Sequence, residues 1–275
     1  MPLAYLVVLS LQDPVARRVH DLWGTPPATG EQVDGTPVRR LANGAWVLSR
    51  SPLHILDDRV EDRLPASIRA AEPTLVFPSI HRSDSGTRCF TVHPLGNFGG
   101  SAEVGGAPRA LNPAAPQLMT DALRRLDEAG RSTGLRATFE ATHHGPQSSL
   151  PSFFAEIGFG DDPEPPPDAV RQLGSTLVEL DPDPTDRVVV GVGGGHYAPH
   201  FTDLALKRHW AFGHVISRHA LLTVDVETAR LAMTATPGVE GALYARAADF
   251  GLPAGAALVP RLSENLAPRR GAGGS

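Results

Sequence analysis

The sequence has only one cysteine, Cys89, only one lysine, Lys207, and no long apolar run. One cysteine excludes a disulfide framework and a cysteine-rich structural zinc site, so any metal would be bound by His, Asp or Glu. No segment approaches the roughly 18 apolar residues that cross a bilayer, and no basic segment typical of a signal peptide opens the chain. We therefore expect a cytoplasmic protein that does not bind or span a membrane. No feature indicates an obligate protein partner.

The basic charge is almost entirely arginine, and the formal net charge is -5. A negative chain offers no global positive field to nucleic acid, so RNA contact would depend on a local patch of arginines.

The 275 residues suffice for one large domain or two small ones. Because nothing marks a domain boundary, we expect one domain over residues 1–265 and a disordered tail over 266–275.

Apolar segments of strand and helix spacing alternate along the chain. Strands are expected at 4–9, 45–48, 53–55, 74–80, 89–92, 135–142, 187–192 and 212–217. Helices are expected after the capping residue Asp13 and at 118–130, 170–180, 202–208 and 227–235. Stretches rich in glycine and proline at 24–44, 95–116 and 161–167 indicate loops. The alternation predicts an α/β fold of three layers, α/β/α, around a mixed, largely parallel sheet.

Histidines occupy the ends of several predicted strands. Ligands of open α/β sheets bind beyond the carboxyl ends of strands, so these side chains are expected to converge. A single histidine is as often a half-buried polar group or a surface residue, whereas clustered histidines favour a site. The metal ligands that this pattern predicts are His81, His93, His143, His144 and His196.

Three glycines and a histidine follow the β-branched segment that ends at residue 192. Successive glycines let the backbone approach a ligand, and their N–H groups can surround an oxyanion or a phosphate. We expect Gly193, Gly194 and Gly195 to bind substrate in this way, and His196 to act on the bound group. The alternative is a tight turn without a ligand, since the spacing matches neither the dinucleotide-binding nor the Walker fingerprint.

His143 and His144, which follow Glu140, offer either a metal-ligand pair or an acid–base pair. Adjacent strand residues point to opposite faces, so both imidazoles serve one site only if the strand has already ended. Glu140 would orient one imidazole, as carboxylates do for zinc-bound or catalytic histidines. The spacing differs from the His-Glu-x-x-His helix of metalloproteases. The predicted catalytic residues are Glu140, His143, His144 and His196.

Five ordered motifs, at 77–86, 91–99, 139–146, 191–202 and 212–217, resemble the D-aminoacyl-tRNA deacylase family of archaea and plants. The resemblance runs from residue 10 to about residue 260. It implies hydrolysis of the ester between a D-amino acid and the terminal ribose of tRNA, possible clearance of aldehyde-modified D-aminoacyl-tRNA, and zinc as cofactor. It also implies a core similar to that of peptidyl-tRNA hydrolase and nucleoside phosphorylase.

Three further residues are candidates for substrate binding. Arg82 and Arg218 are candidate contacts to tRNA phosphates, and Tyr197 follows His196 directly.

A histidine base or the ribose hydroxyl of the substrate could also assist water without a metal. Because a shared core does not fix chemistry, the alternative function is another nucleotide or phosphate-ester enzyme, or an RNA-binding protein, of the same α/β fold.

Overall fold

The structure is a computed structural model that describes residues 4–82 and 86–263, so the predicted tail at 266–275 lies outside the described residues. The strands are β1 (Tyr5–Ser10), β2 (Ala28–Val33), β3 (Thr36–Arg40), β4 (Trp46–Arg50), β5 (Thr74–His81), β6 (Cys89–Pro94), β7 (Gly96–Asn97), β8 (Ala110–Leu111), β9 (Ala137–Phe139), β10 (Ser152–Gly158), β11 (Arg187–Val192), β12 (Trp210–Ile216) and β13 (Gly241–Tyr244). The helices are α1 (Pro14–Trp23), α2 (Ala66–Arg69), α3 (Pro116–Gly130), α4 (Pro167–Val178), α5 (Pro199–Lys207), α6 (Arg218–Thr223), α7 (Val226–Thr234), α8 (Ala247–Phe250) and α9 (Pro253–Ala256).

Eight strands form one mixed sheet in the order β2-β3-β4-β1-β5-β10-β6-β9. The pairs β1/β4, β1/β5, β5/β10 and β6/β9 are parallel, whereas β2/β3, β3/β4 and β6/β10 are antiparallel. A smaller parallel sheet has the order β12-β11-β13. The expectation of an α/β fold with a mixed, largely parallel sheet is confirmed.

The two faces of the large sheet are covered unequally. Alternate residues of β1 point to opposite faces, so Val7 packs with the side chains of α1, α3 and α4, and Val8 packs on the other side. That other side is covered by short segments, of which 60–69 contributes Val60, Leu64 and Ile68 and the loop before β10 contributes Leu150. The thin cover leaves room for a cavity on this face.

The small sheet shares the main hydrophobic core. Phe201 of α5 and Trp210 and Phe212 of β12 belong to the same buried cluster as the α1, α3 and α4 side of the large sheet. The amide of Thr142 donates to the carbonyl of Val215 at 2.9 Å, which joins the chain beyond β9 to β12. In the part of the chain that the structure describes, no helix is long and apolar enough to span a membrane.

The prediction of a loop at 24–44 is wrong, because this segment contains the antiparallel strands β2 and β3. The two strands are joined at Asp34 and Gly35, both of which have positive φ. Asp-Gly with positive φ is the commonest signal of a two-residue hairpin. The sequence analysis interpreted this stretch as a loop from its many glycines and prolines, and so overlooked the hairpin signal at Asp34 and Gly35.

Several other boundaries differ from the prediction, and the predicted loop at 95–116 contains the short strands β7 and β8. The expected strand at 53–55 is a 3-10 turn, His54–Leu56, and the expected strand at 135–142 is limited to β9. Helix α5 begins at Pro199, upstream of the expected start at Thr202, because proline suits the first helical turn. Strands β10 and β13 were not predicted. The cap at Asp13 is confirmed, since its Oδ1 accepts from the amides of the next turn.

Candidate active site

A cavity of about 800 Å³ lies on the thinly covered face of the large sheet. Its lining combines apolar side chains with histidines, three carboxylates and Arg82. This volume falls within the range of roughly 300–1,000 Å³ that is usual for ligand sites. The titratable groups that line it are Asp13, His54, His81, Arg82, Glu103, His143, His144, Glu156 and His196.

The central strand β10 carries Glu156 into the middle of this site. In β10, Glu156 lies beside Thr91 of β6, whereas Gly158 is paired with His81 and Phe154 with His93. Glu156 Oε2 is 3.3 Å from His81 Nδ1, and its Oε1 is 3.8 Å from His93 Nε2. The carboxylate therefore bridges two histidines that the sequence placed at strand ends.

His81 and His93 do not meet at one edge of the sheet, as the sequence analysis expected. Strand β6 runs antiparallel to β10, so its carboxyl end points opposite to that of β5. The two histidines share a face instead of an edge. Glu156 was missed by the sequence analysis, although a single carboxylate inside the apolar run at 152–158 is a signal, because an ionised group is rarely buried without a partner.

His93, His143 and His144 form a compact group of rings. Their centroids are 4.0 Å apart for His93 and His143, 4.9 Å for His93 and His144, and 4.4 Å for His143 and His144. Strand β9 ends before this pair, and His144 has a φ of 41°, so the two adjacent imidazoles can face one site. The condition set by the sequence analysis for a shared role of His143 and His144 is met.

In each of these three rings Nδ1 faces a main-chain carbonyl oxygen. The Nδ1 atoms lie 3.2, 2.8 and 2.7 Å from main-chain carbonyl oxygens for His93, His143 and His144, respectively. A carbonyl accepts the Nδ1 proton, so a neutral ring keeps its lone pair on Nε2. Burial lowers the pKa of His144 to about 4 and that of His143 well below its usual value. Histidines that bind metals are held in this way.

Glu140 is fully buried beside two other histidines. Its Oε1 lies 3.2 Å from His81 Nδ1 and 3.2 Å from His196 Nε2, as close ion-pair contacts. Burial alone would raise the pKa of Glu140, but His196 and His81 hold it well below its usual value. Glu140 therefore stays ionised and orients His196.

His81 carries a positive charge between two carboxylates. Burial alone would lower its pKa, yet the hydrogen bonds to Glu140 and Glu156 raise it to about 11. The other ring nitrogen, Nε2, lies 2.8 Å from the hydroxyl of Tyr197. His81 is thus protonated at neutral pH and fixed on both sides.

Three overlapping groups at this site have the donor atoms of a metal centre, with the candidate ligand atoms of each group within 4.8 Å of one another. They are His93, His143 and His144; Glu140, His143 and His196; and His81, Glu140 and Glu156. His93 Nε2 and Glu140 Oε2 are buried without a hydrogen bond among the described residues. Buried polar atoms without partners are costly, and a cation between them removes that cost, so the donor set fits a metal.

A fourth group of possible ligands, Asp183, Asp186 and His209, lies elsewhere. The carboxylate of Asp186 forms an ion pair with both terminal nitrogens of Arg124. This group is satisfied without a metal.

The predicted glycine cradle does not line the cavity. The amide of Gly193 donates to the carbonyl of Ile216 at 2.8 Å, so it is not free to bind an oxyanion. A β-carbon at Gly193 would lie 2.2 Å from Asp249 Oδ2, which gives this glycine a packing role. Substrate binding by Gly194 and Gly195 stays a prediction.

The other predicted substrate contacts have different surroundings. Arg82 is exposed and lines the cavity. Arg218 forms an ion pair with the buried Asp249 beside the glycine turn, and its contact with tRNA phosphate stays a prediction. Tyr197 binds His81 and is not among the residues that line the cavity, so it positions His81.

Neutral histidines, a protonated histidine and two buried carboxylates meet beside one cavity. This combination defines an α/β protein with a centre suited to proton transfer and hydrolysis. Residues 70–249 match the family model of D-aminoacyl-tRNA deacylase. The chain belongs to the D-aminoacyl-tRNA deacylase family.

Curated relatives agree with this assignment, and a solved structure shares the fold. A D-aminoacyl-tRNA deacylase of Thermoplasma acidophilum is 38% identical over 175 residues, which cover 62% of this chain and 67% of the relative. One from Methanoregula boonei is 44% identical over 145 residues, which cover 52% of this chain and 32% of the relative. A crystal structure of a conserved protein of unknown function has a TM-score of 0.75 and 26% identity, and the match covers 88% of this chain and 86% of that one.

Proposed function

We propose that this chain hydrolyses the ester bond between a D-amino acid and the terminal ribose of tRNA, in the cytoplasm. The products are the free D-amino acid and tRNA. The observation that supports the proposal most is the group of histidines and carboxylates beside a cavity open to solvent. Family membership supplies the substrate class.

We propose zinc as the cofactor. His93, His143 and His144 would hold the ion through Nε2, with Glu140 close to His143. A bound zinc ion polarises a carbonyl and lowers the pKa of water, which provides a nucleophile at neutral pH. Burial keeps His143 and His144 neutral, the form in which imidazole binds a metal.

His196 has the position of a general base. It lines the cavity, and its side chain is 49% exposed. Because Nε2 faces Glu140, Nδ1 is the nitrogen that can accept a proton from water as the water attacks the ester carbonyl. The proton then passes to the ribose oxygen that leaves.

His81 provides a fixed positive charge at the cavity wall. Negative charge develops on the carbonyl oxygen when water attacks, and a preorganised charge stabilises it without reorganisation. Glu140, Glu156 and Tyr197 hold the imidazole in place. Selection of the D-enantiomer would come from steric exclusion of the L side chain by the cavity wall.

The ester assay that tests this proposal uses D-tyrosyl-tRNA and the wild-type chain. We expect loss of the ester and a decrease of about 10²- to 10⁴-fold in kcat for His196→Gln, since general base catalysis contributes that much. A matched control is His209→Gln, which changes an exposed histidine outside the site. No ester loss with the wild-type chain would favour an RNA-binding role.

Metal content gives a test that is independent of activity. We expect elemental analysis to find zinc in the wild-type chain, and His143→Gln to lose it while His209→Gln retains it. Hydrolysis that persists after exhaustive chelation, in protein without zinc, would contradict the metal proposal and favour the metal-free route.

A further inference from the structure

His54 lies on the cavity wall but has no part in the chemistry described above. It begins the 3-10 turn His54–Leu56 and is 3% exposed, and it lines the cavity together with Leu53 and Ile55. A buried polar ring requires a hydrogen-bonding role.

The hydrogen bonds of His54 define which nitrogen carries the proton. The amide of Ser10 donates to His54 Nε2 at 3.1 Å, so Nε2 holds the lone pair and Nδ1 holds the proton. Burial lowers the pKa of His54, which keeps the ring neutral. Among the described residues none accepts a hydrogen bond from Nδ1. His54 is therefore a donor without an acceptor in a ligand cavity.

The ring is held firmly in place. His54 makes edge contacts to Phe77 and Phe154, with centroid distances of 5.9 and 5.7 Å. The ring of Phe154 also contacts His144, at 5.0 Å. The donor is thus fixed one aromatic ring away from the histidines of the proposed centre.

The shape of the cavity indicates what this donor meets. About 800 Å³ is more than an aminoacyl group fills, so a nucleoside fits as well. Leu53, Ile55 and Val104 line the same cavity and offer apolar contacts, whereas the carboxylates of Asp13 and Glu156 act on His54 by their charge. One hydrogen-bond donor in a cavity that also offers apolar side chains suits a flat ring that carries acceptor nitrogens. Every aminoacyl-tRNA ends in adenosine, and adenine has such nitrogens at its edges.

We propose that His54 binds the adenine ring of the terminal adenosine, with Nδ1–H donating to a ring nitrogen. Leu53, Ile55 and Val104 cover the faces of the base. The assignment rests on the proposed function. It makes His54 a specificity residue that recognises the terminal adenosine, which is the same in every aminoacyl-tRNA. The amino acid is then free to vary.

Two substitutions separate this role from a structural one. In His54→Gln the side-chain amide reaches the position of Nε2, so it keeps an acceptor for Ser10 and loses the donor at Nδ1. In His54→Asn the amide reaches the position of Nδ1, so the donor stays and the Ser10 amide loses its acceptor. We expect His54→Gln to keep the Tm and raise the KM for D-tyrosyl-tRNA by about tenfold with little change in kcat. His54→Asn should lower the Tm and keep the KM near that of the wild type.

Base analogues test the contact itself. Adenosine monophosphate and its 1-deaza, 3-deaza and 7-deaza forms each bind to the wild-type chain and to His54→Gln in a calorimeter. We expect one deaza form to bind the wild type about tenfold more weakly than adenosine monophosphate, and His54→Gln to bind all four alike.

Several outcomes would overturn the proposal. They are no binding of adenosine monophosphate by the wild type, equal binding of all four compounds, or a His54→Gln variant that loses kcat at constant KM, which would place the donor at the ester. If the deaza pattern appears but D-tyrosyl-tRNA is not hydrolysed, the proposed function fails while the assignment of His54 stands.

Discussion

Glu156 connects the two halves of the site, because it contacts both His81 and His93 from the centre of the sheet. Replacement by Gln keeps the shape and the hydrogen bond from Thr91 but removes the negative charge. We expect Glu156→Gln to lower kcat/KM for D-tyrosyl-tRNA by roughly 10- to 100-fold, the usual effect of losing a residue that orients ligands.

The matched control is Glu61→Gln. Glu61 is another buried carboxylate on the same side of the sheet, and its Oε1 accepts hydrogen bonds from Ser149. This variant should lower the Tm and leave kcat/KM unchanged. A Glu156→Gln variant with wild-type kcat/KM would show that the carboxylate is not part of the centre.

His214 gives a prediction for stability against pH. Burial lowers its pKa to about 4, although a hydrogen bond to the carbonyl of Asn112 partly opposes this effect. In the unfolded chain the pKa is about 6.5, so the unfolded state binds a proton first as the pH falls. The stability that the neutral ring provides is complete above pH 6.5 and is lost between pH 6.5 and 4. That loss is at most about 3 kcal/mol.

Chemical denaturation across this pH range measures the effect. The free energy of unfolding of the wild type should fall more steeply between pH 6.5 and 4 than that of His214→Gln. Parallel pH profiles for the two proteins would contradict the burial of a neutral imidazole at this position.

At the scale of the residue, the histidines and Glu140 were predictable, whereas Glu156 was not. His81, His93, His143, His144 and His196 follow apolar segments, and the structure brings all five to one region. Glu156 lies within a strand that the sequence analysis missed. The roles of Gly193 and Arg218 depend on Asp249, which is distant in sequence, so local pattern could not reveal them.

At the scale of elements, the loop between β7 and β8 closes one side of the cavity against the turn at 54–56. Gly105 has a φ of +81°, and a β-carbon there would lie 1.6 Å from the carbonyl oxygen of Ile55. Gly105→Ala should therefore separate the loop from the turn, raise the KM for D-tyrosyl-tRNA several-fold and lower the Tm.

Gly100→Ala is the matched control in the same loop, because no atom lies within 4 Å of a β-carbon at that position. It should leave both the KM and the Tm unchanged. Equal effects of the two substitutions would show that close packing at Gly105 does not shape the cavity.

Elements with a clear period were predicted well, and elements defined by pairing were not. The apolar run of β1 and the cap at Asp13 are local signals, and both are confirmed. The antiparallel direction of β6 follows from its pairing with β10, a contact between segments about 60 residues apart in the chain. No local pattern specifies such a pairing, so the shared face of His81 and His93 became visible only in the structure.

At the scale of the whole molecule, one hydrophobic core joins the two sheets through Phe201, Trp210 and Phe212. A shared core favours cooperative unfolding. We expect calorimetry of the wild-type chain to show a single unfolding transition with equal calorimetric and van't Hoff enthalpies. Two separate transitions would mean that the two sheets are independent domains and would contradict the expectation of one domain.

The unequal cover of the large sheet explains why the site forms where it does. Helices α1, α3 and α4 seal one face, and the segment 60–69 leaves the other face open beside Glu156. The fold thus places buried charges next to a cavity large enough for an aminoacyl nucleoside.

The most direct test compares ester loss from D-tyrosyl-tRNA and L-tyrosyl-tRNA under identical conditions with the wild-type chain. We predict rapid loss from D-tyrosyl-tRNA, with L-tyrosyl-tRNA decaying at the rate measured without protein. Equal enzymatic rates on both substrates would contradict the central claim that this site removes D-amino acids from tRNA.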